Sequence, residues 1–176
     1  MRRVQAGDQA AFAGLMAEWE LPLKRVLARI VQNTAEADDL AQETFVRVWQ
    51  ERARFRVGAS FRPWLFAIAV NLARNRLRWW RRRPAVSLEA WSVVSAGLEP
   101  ADGAGIQPAA IESRERVEAV RAAVAALPGS LREVIVLFEY EQLSHVEIAG
   151  ALGCTAKAVE TRLYRAREML RRSLRI

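Results

Sequence analysis

The pattern that most restricts what this chain can fold into lies near its end. Ser144 stands three residues before Glu147, and that spacing makes a capping box, in which hydroxyl and carboxylate each satisfy a backbone donor at a helix start. Ile148, Ala149 and Leu152 then give a short apolar face, and Gly153 suits the left-handed residue that ends such a helix. Thr155 can cap the next one. That second helix interleaves an apolar stripe (Val159, Leu163, Ala166, Leu170, Leu174) with Lys157, Arg162, Arg165, Arg167, Arg171, Arg172 and Arg175. A short helix, a tight glycine turn and a basic second helix are what reading a DNA major groove requires. The alternative is an ordinary amphipathic hairpin with a solvated charged face. Against it, residues 154–176 carry seven basic groups and only two acidic ones, where a merely soluble face mixes the signs more evenly.

Composition supports a polyanion partner. The net charge of the 176 residues is +7, and the basic side is nearly all arginine, Lys24 and Lys157 being the only lysines. Arginine offers a planar fork to phosphates and guanine edges and stacks on bases. Apolar residues make up 52% of the chain, enough to bury cores. Cys154 stands alone, so an internal disulfide framework is excluded and a reducing cytoplasm is the expected home. No apolar run reaches membrane-spanning length, and the start, from Met1 to Asp8, lacks a signal-peptide core. A cytoplasmic protein without membrane insertion is expected.

Charge also locates a boundary. Arg81, Arg82 and Arg83 end a basic helical stretch at Pro84, and from there to Ser113 the chain holds four acidic residues and no basic one. Gly97, Pro100, Gly103, Gly105 and Pro108 in the same tract break helices and mark a flexible linker. Its Leu88, Trp91, Val93, Val94 and Leu98 suggest a segment that docks, either on a partner or on its own domains. The expectation is an all-α chain of two small helical domains: a four-helix domain over 1–83, an acidic linker over 84–108, and a helix-turn-helix domain over 109–176. In the front domain the spacing predicts one helix from Asp8 to about Trp19 and a second over Leu21–Val31. A third runs from Thr34 to about Arg52, and a fourth from Ser60 to about Arg82 with Pro63 in its first turn. Behind the linker it predicts a helix over Ala109–Ala126 and, after Pro128 and Gly129, one from Leu131 capped by Ser130 with Glu133.

Two features of the front domain carry chemistry. Glu36, Asp38, Asp39, Gln42 and Glu43 cluster in the first turns of the third helix. Part of this is compensation of the helix dipole, and the whole makes an acidic stripe suited to a basic partner surface. The fourth helix carries Arg74, Arg76, Arg78, Arg81, Arg82 and Arg83 with no acid among them. Asn71, Asn75 and Arg78 fall on one face of it, a set that can read base edges or, with aromatic neighbours, hold unstacked bases. The loop from Ala53 to Ala59 adds Arg54, Phe55 and Arg56. Packing is the expectation for at least one of Trp79 and Trp80.

These residues resemble the sigma-70 family of bacterial transcription initiation factors, in particular its small extracytoplasmic-function (group 4) type. Asp38–Trp49 resembles the family's region 2.2, and Phe61–Arg78, especially Trp64–Asn71, resembles regions 2.3 and 2.4. Ala126-Leu127-Pro128 with Arg132-Glu133-Val134 resembles the start of region 4, and Ser144–Leu170 resembles region 4.2. The resemblance implies an alternative sigma factor that is not an enzyme and needs no cofactor or metal. It would bind core RNA polymerase, at the β′ clamp helices and the β flap, with Asp38, Asp39, Leu40, Gln42, Glu43, Phe45 and Trp49 docking on the clamp. Arg54, Phe55, Arg56, Phe61, Trp64, Asn71, Arg74, Asn75 and Arg78 would capture the promoter −10 element as single strands. The helix from Ala156 would lie in the −35 major groove, with Glu160, Thr161, Tyr164 and Arg165 nearest base edges. Thr155, Lys157, Arg162 and Arg167 complete that −35 set, the last three holding phosphates. The linker would pass near the RNA exit path, and an anti-sigma factor would supply regulation, no sensor domain following Ile176.

The chain departs from the family at two places. Glu160 puts a negative charge where a basic one is common, which favours a carboxylate accepting from a cytosine amino group. His145 replaces the usual aromatic residue after the capping serine and reads as a solvated helix residue. Two other function classes compete. A stand-alone repressor would bind duplex DNA tightly by itself, and a metal-dependent nuclease would use Asp38, Asp39 and Glu43 as ligands; convergent groups from other elements are missing for the latter.

Overall fold

The computed structural model describes residues 1–82 and 108–174; the expected linker and its apolar residues lie outside them, as do Arg83, Arg175 and Ile176. The described residues form eight α-helices and no strand. After a short α1 (Arg2–Gln5), Asp8 caps α2 (Gln9–Val31), its carboxylate accepting from the Ala11 amide at 2.9 Å. The two helices expected before Gln32 are this single one. Pro22 lacks the amide that would bond the Glu18 carbonyl, and its ring crowds that carbonyl. Leu23, Val26, Leu27 and Ile30 continue a buried face against which Phe12, Leu15, Met16 and Trp19 pack, and that burial outweighs the local break. Gln32, at φ 59°, closes the helix in the left-handed region.

Helix α3 (Thr34–Gln50) begins at Thr34 as expected, with Asn33 as its cap accepting from Glu36 N at 3.0 Å. A 3-10 turn, Arg52–Arg54, and an exposed loop over 56–60 lead to α4 (Phe61–Arg82). Helices α2, α3 and α4 pack on one another around Leu27, Leu40, Phe45, Leu65, Phe66 and Val70.

The rear module holds α5 (Pro108–Ala126), α6 (Gly129–Ile135), α7 (His145–Leu152) and α8 (Ala156–Leu174). The cap expected from Ser130 does not form. Helix α6 starts earlier, with Leu131 N and Arg132 N donating to Pro128 O at 2.8 and 2.9 Å, and Glu133 is used elsewhere. Beyond Ile135 the helix widens into a π-type turn over Val136–Tyr140, which no sequence periodicity announces. The helix-turn-helix follows the sequence closely. Ser144 and Glu147 form the complete capping box, Gly153 is left-handed at φ 64°, and Thr155 Oγ1 accepts from Ala158 N at 3.1 Å.

The two modules pack together. Helix α7 lies against α4, and α2 touches α6 and the π-type turn, so the buried apolar residues of both form one cluster. Arginines stitch the seam. Arg74 donates twice to the Glu133 carboxylate, at 3.0 and 2.6 Å, and once to Leu152 O at 3.2 Å. Arg62 pairs with Glu141 at 3.1 Å, Arg132 donates to Ile30 O at 2.9 Å, and Arg29 stacks 4.0 Å from the Tyr140 ring centre.

Candidate polymerase and nucleic-acid surfaces

Helix α3 divides the residues expected to dock on a partner. Leu40 and Phe45 are buried, Phe45 to 3% exposure, so their contact is with the fold. Trp49 is half-buried, 5.0 Å from Phe12 between ring centres and covered by the Arg52 guanidinium at 4.2 Å. Several acids of the cluster are spent within the molecule: Glu36 on Arg76, Asp38 on Lys24 at 3.4 Å, and Glu43 on Arg47 at 3.8 Å. Dispersed among separate cations, they do not converge as nuclease ligands would. Asp39 and Gln42 remain exposed. Val46 joins them one turn on, an apolar side chain left 53% exposed. Val46 was not among the residues expected on this surface; its i, i+3, i+7 spacing with Asp39 and Gln42 places it on their face of the helix.

The basic loop is rooted in aromatic packing. Phe55 is 5% exposed and meets Trp64 and Phe61 edge-on, at 5.1 and 6.2 Å between ring centres. Trp19 closes on Phe61 from α2 at 6.0 Å. Phe55 therefore packs as a support for the loop, while Phe61 and Trp64 stay partly exposed. Arg54 and Arg56 point outward. On α4 the structure brings Asn71, Asn75 and Arg78 to one exposed face, Arg78 donating to Asn75 Oδ1. Asn75 also lines a groove between α3 and α4 with Leu40, Glu43, Arg47, Leu72 and Arg76. Arg74, one turn from Asn71 and Arg78 on the same side of the helix, has its guanidinium engaged by Glu133, which holds it above its ordinary pKa. In this arrangement Arg74 is a seam residue. Of the paired tryptophans, Trp80 is buried and Trp79 partly exposed.

The cap Thr155 and, on α8, Lys157, Glu160, Thr161, Tyr164, Arg165 and Arg167 are all exposed, and Arg162 is half-buried. Lys157 pairs with Glu160 at 2.9 Å and holds its carboxyl below the usual range. The Thr161 hydroxyl donates to Lys157 O, and Arg162 donates weakly to Cys154 Sγ at 3.8 Å. Arg167 pairs with Glu139 at 2.9 Å and lies over the Phe138 ring. His145 packs on the same ring, 5.4 Å between centres, and shares a groove with Glu160, Tyr164 and Arg167. It is a half-buried packing residue on the α8 side rather than a freely solvated one. Tyr164 is 68% exposed, and Arg165 next to it in sequence is exposed as well. A helix held on its inner face by Val159, Leu163 and Ala166 thus offers polar groups outward along its length, as groove reading demands.

Comparison with known proteins agrees with this geometry. Residues 9–92 match the family Sigma-70 region 2, and residues 117–170 match Sigma-70, region 4. The chain is 33% identical over 180 residues to the ECF RNA polymerase sigma factor SigW of Bacillus subtilis (strain 168), covering 99% of this chain and 95% of that one. It is also 33% identical over 176 residues to the ECF RNA polymerase sigma-E factor of Escherichia coli (strain K12), covering 97% and 90%. Among solved structures, the sigma factor RpoE in complex with the anti-sigma factor NepR from Bartonella quintana shares the fold at a TM-score of 0.74, with 22% identity over 94% of this chain and 98% of that one. CnrH in complex with the cytosolic domain of CnrY superposes at 0.66, with 28% identity over 96% and 90%. With both sigma modules matched in the family's order and relatives a third identical along nearly the whole chain, this chain is a member of the sigma-70 family, of the extracytoplasmic-function type.

Proposed function

We propose that this sigma factor binds core RNA polymerase through the exposed Asp39, Gln42 and Val46 stripe of α3, with Glu43 at its edge. The loop over 56–60 and the Asn71, Asn75 and Arg78 face then hold the melted −10 strand, and α8 enters the −35 major groove. One observation carries the reading: two modules of sigma type share one chain and present separate exposed polar faces, one amide-rich beside aromatic rings and one on a helix-turn-helix. An unstacked strand needs the first kind of face and a duplex element the second. Tyr164 and Arg165 are assigned to base edges and Lys157, Arg162 and Arg167 to phosphates. Glu160 accepts from a cytosine amino group once Lys157 turns to the backbone.

The chain supplies recognition, and bond formation belongs to the polymerase. The cytoplasm, where the polymerase works, is its proposed place, and no helix among the described residues is long and apolar enough to cross a membrane. The solved relatives bound to an anti-sigma factor or a cytosolic domain support a protein partner that controls this chain likewise. Run-off transcription with purified core polymerase on promoter-bearing fragments tests the proposal. Initiation at defined sites only when the chain is added is the expected result. Tight duplex binding by the chain alone, with no core association, would instead identify a repressor.

A further inference from the structure

The side-chain amide of Gln5 is spent in an unusual way. Its Nε2 donates to two backbone carbonyls nearly fifty residues away, Arg52 O at 2.9 Å and Phe55 O at 2.7 Å. These carbonyls bracket the 3-10 turn that precedes the loop over 56–60. Arg52 O also accepts from Phe55 N at 3.2 Å, so Gln5 completes its second lone pair. Phe55 O belongs to the peptide joining Phe55 to Arg56, so its bond to Gln5 fixes the plane of the first loop peptide. Beyond it every residue to Ser60 is exposed. Val57 stands at 47% exposure, Gly58 is left-handed at φ 92°, and Ala59 N donates back to Arg56 O at 3.0 Å.

Gln5 is itself firmly placed. Val4 beside it is 1% exposed. Asp8, which caps α2, also pairs with Arg3 at 2.7 Å, and Asp8 N donates to Arg3 O at 3.0 Å. The cap of the long helix thereby holds α1, and α1 presents the amide. The Phe55 ring anchors the loop root from the inside, while Gln5 anchors its backbone from the outside.

We infer that Gln5 is a positioning residue for −10 recognition, aiming the loop without touching DNA. This rests on the reading of that loop given under Proposed function. The test uses holoenzyme reconstituted from core polymerase and the full chain, with single-stranded −10 oligonucleotides from a promoter found by run-off, each base replaced in turn. Gln5→Glu keeps the size but offers no donor to the carbonyls, and Gln5→Lys restores donors. The expected result is that Gln5→Glu loses roughly tenfold in discrimination between matched and mismatched −10 bases, about the effect of one imperfectly read position. Gln5→Lys recovers it, while core binding and −35 duplex affinity stay at parental values. A purely structural role would move the melting temperature and leave the preference alone, and that result overturns the inference. Arg56→Ala and Val57→Ala run alongside. If they lose discrimination and Gln5→Glu does not, Gln5 is not a positioning residue. If neither loop variant loses any, the loop reading falls and the inference with it.

Discussion

Arg165 is exposed on α8, the helix whose Lys157 and Arg167 already hold carboxylates within the molecule. Arg165→Ala should weaken binding to the −35 duplex by about 1–3 kcal/mol and relax preference at one base position. Affinities for a panel of −35 variants check this, and a uniform loss over the panel would move Arg165 to a phosphate. Glu141 gives a prediction about pH. Burial pushes its carboxyl above the ordinary range, against the opposing pull of Arg62. A raised folded-state value means the protonated form is the better fit. The stability it contributes is complete below the ordinary glutamate value and is lost as pH rises through the raised one. Glu141→Gln mimics the neutral form, so in urea unfolding it should match or exceed the parent at pH 7, and the two should converge near pH 4. A clearly less stable variant at pH 7 would show that attraction to Arg62 outweighs burial.

Helix α3 shows how one element serves a core and a surface at once. Phe45→Ala should cost about 3–5 kcal/mol of stability through the cavity left in the core, visible as a lowered melting temperature. Val46→Asp, on the exposed side, should leave melting nearly unchanged and weaken co-purification with core polymerase. Equal core binding by Val46→Asp and the parent would remove Val46 from the docking stripe. The same helix shows what the sequence makes legible. The acidic stripe could be read from spacing, but Leu40 and Phe45 travel in the same motif as Asp39 and Gln42. A motif does not separate residues kept for folding from residues kept for contact. Local chemistry was fully legible around Ser144, Gly153 and Thr155, where caps act within four residues. It was illegible where distant parts decide: at Pro22, overruled by a continuous buried face; at Glu133, drawn from an expected cap to Arg74; and at Phe55, whose aromatic neighbours lie on the next helix.

At the scale of the whole molecule, the seam between modules combines an apolar contact of α4 with α7 and arginine-mediated bonds. Glu133→Ala leaves the half-buried Arg74 without its main partner. It should weaken the contact by about 1–3 kcal/mol, allowing for the partial exposure of Arg74. Small-angle scattering should then show a larger radius of gyration at unchanged helix content; an unaltered profile would mean that the apolar contact holds the modules alone. Two of the bonds across this seam, at Tyr140 and Glu141, sit where the π-type turn ends. Such a turn absorbs one residue more than α-helical pitch allows, and each helical residue rotates the chain beyond it by about 100°. Inserting one further residue between Val136 and Leu137 exceeds what the turn absorbs and should swing Tyr140 and Glu141 away from Arg29 and Arg62. The helix-turn-helix, closed by its own caps, should still fold, and scattering with circular dichroism would show intact helices on parted modules. The number of residues between Ile135 and Ser144 is thus a specification in its own right, and a one-residue change in chain length could undo the pairing of the modules while leaving every side chain that makes it in place.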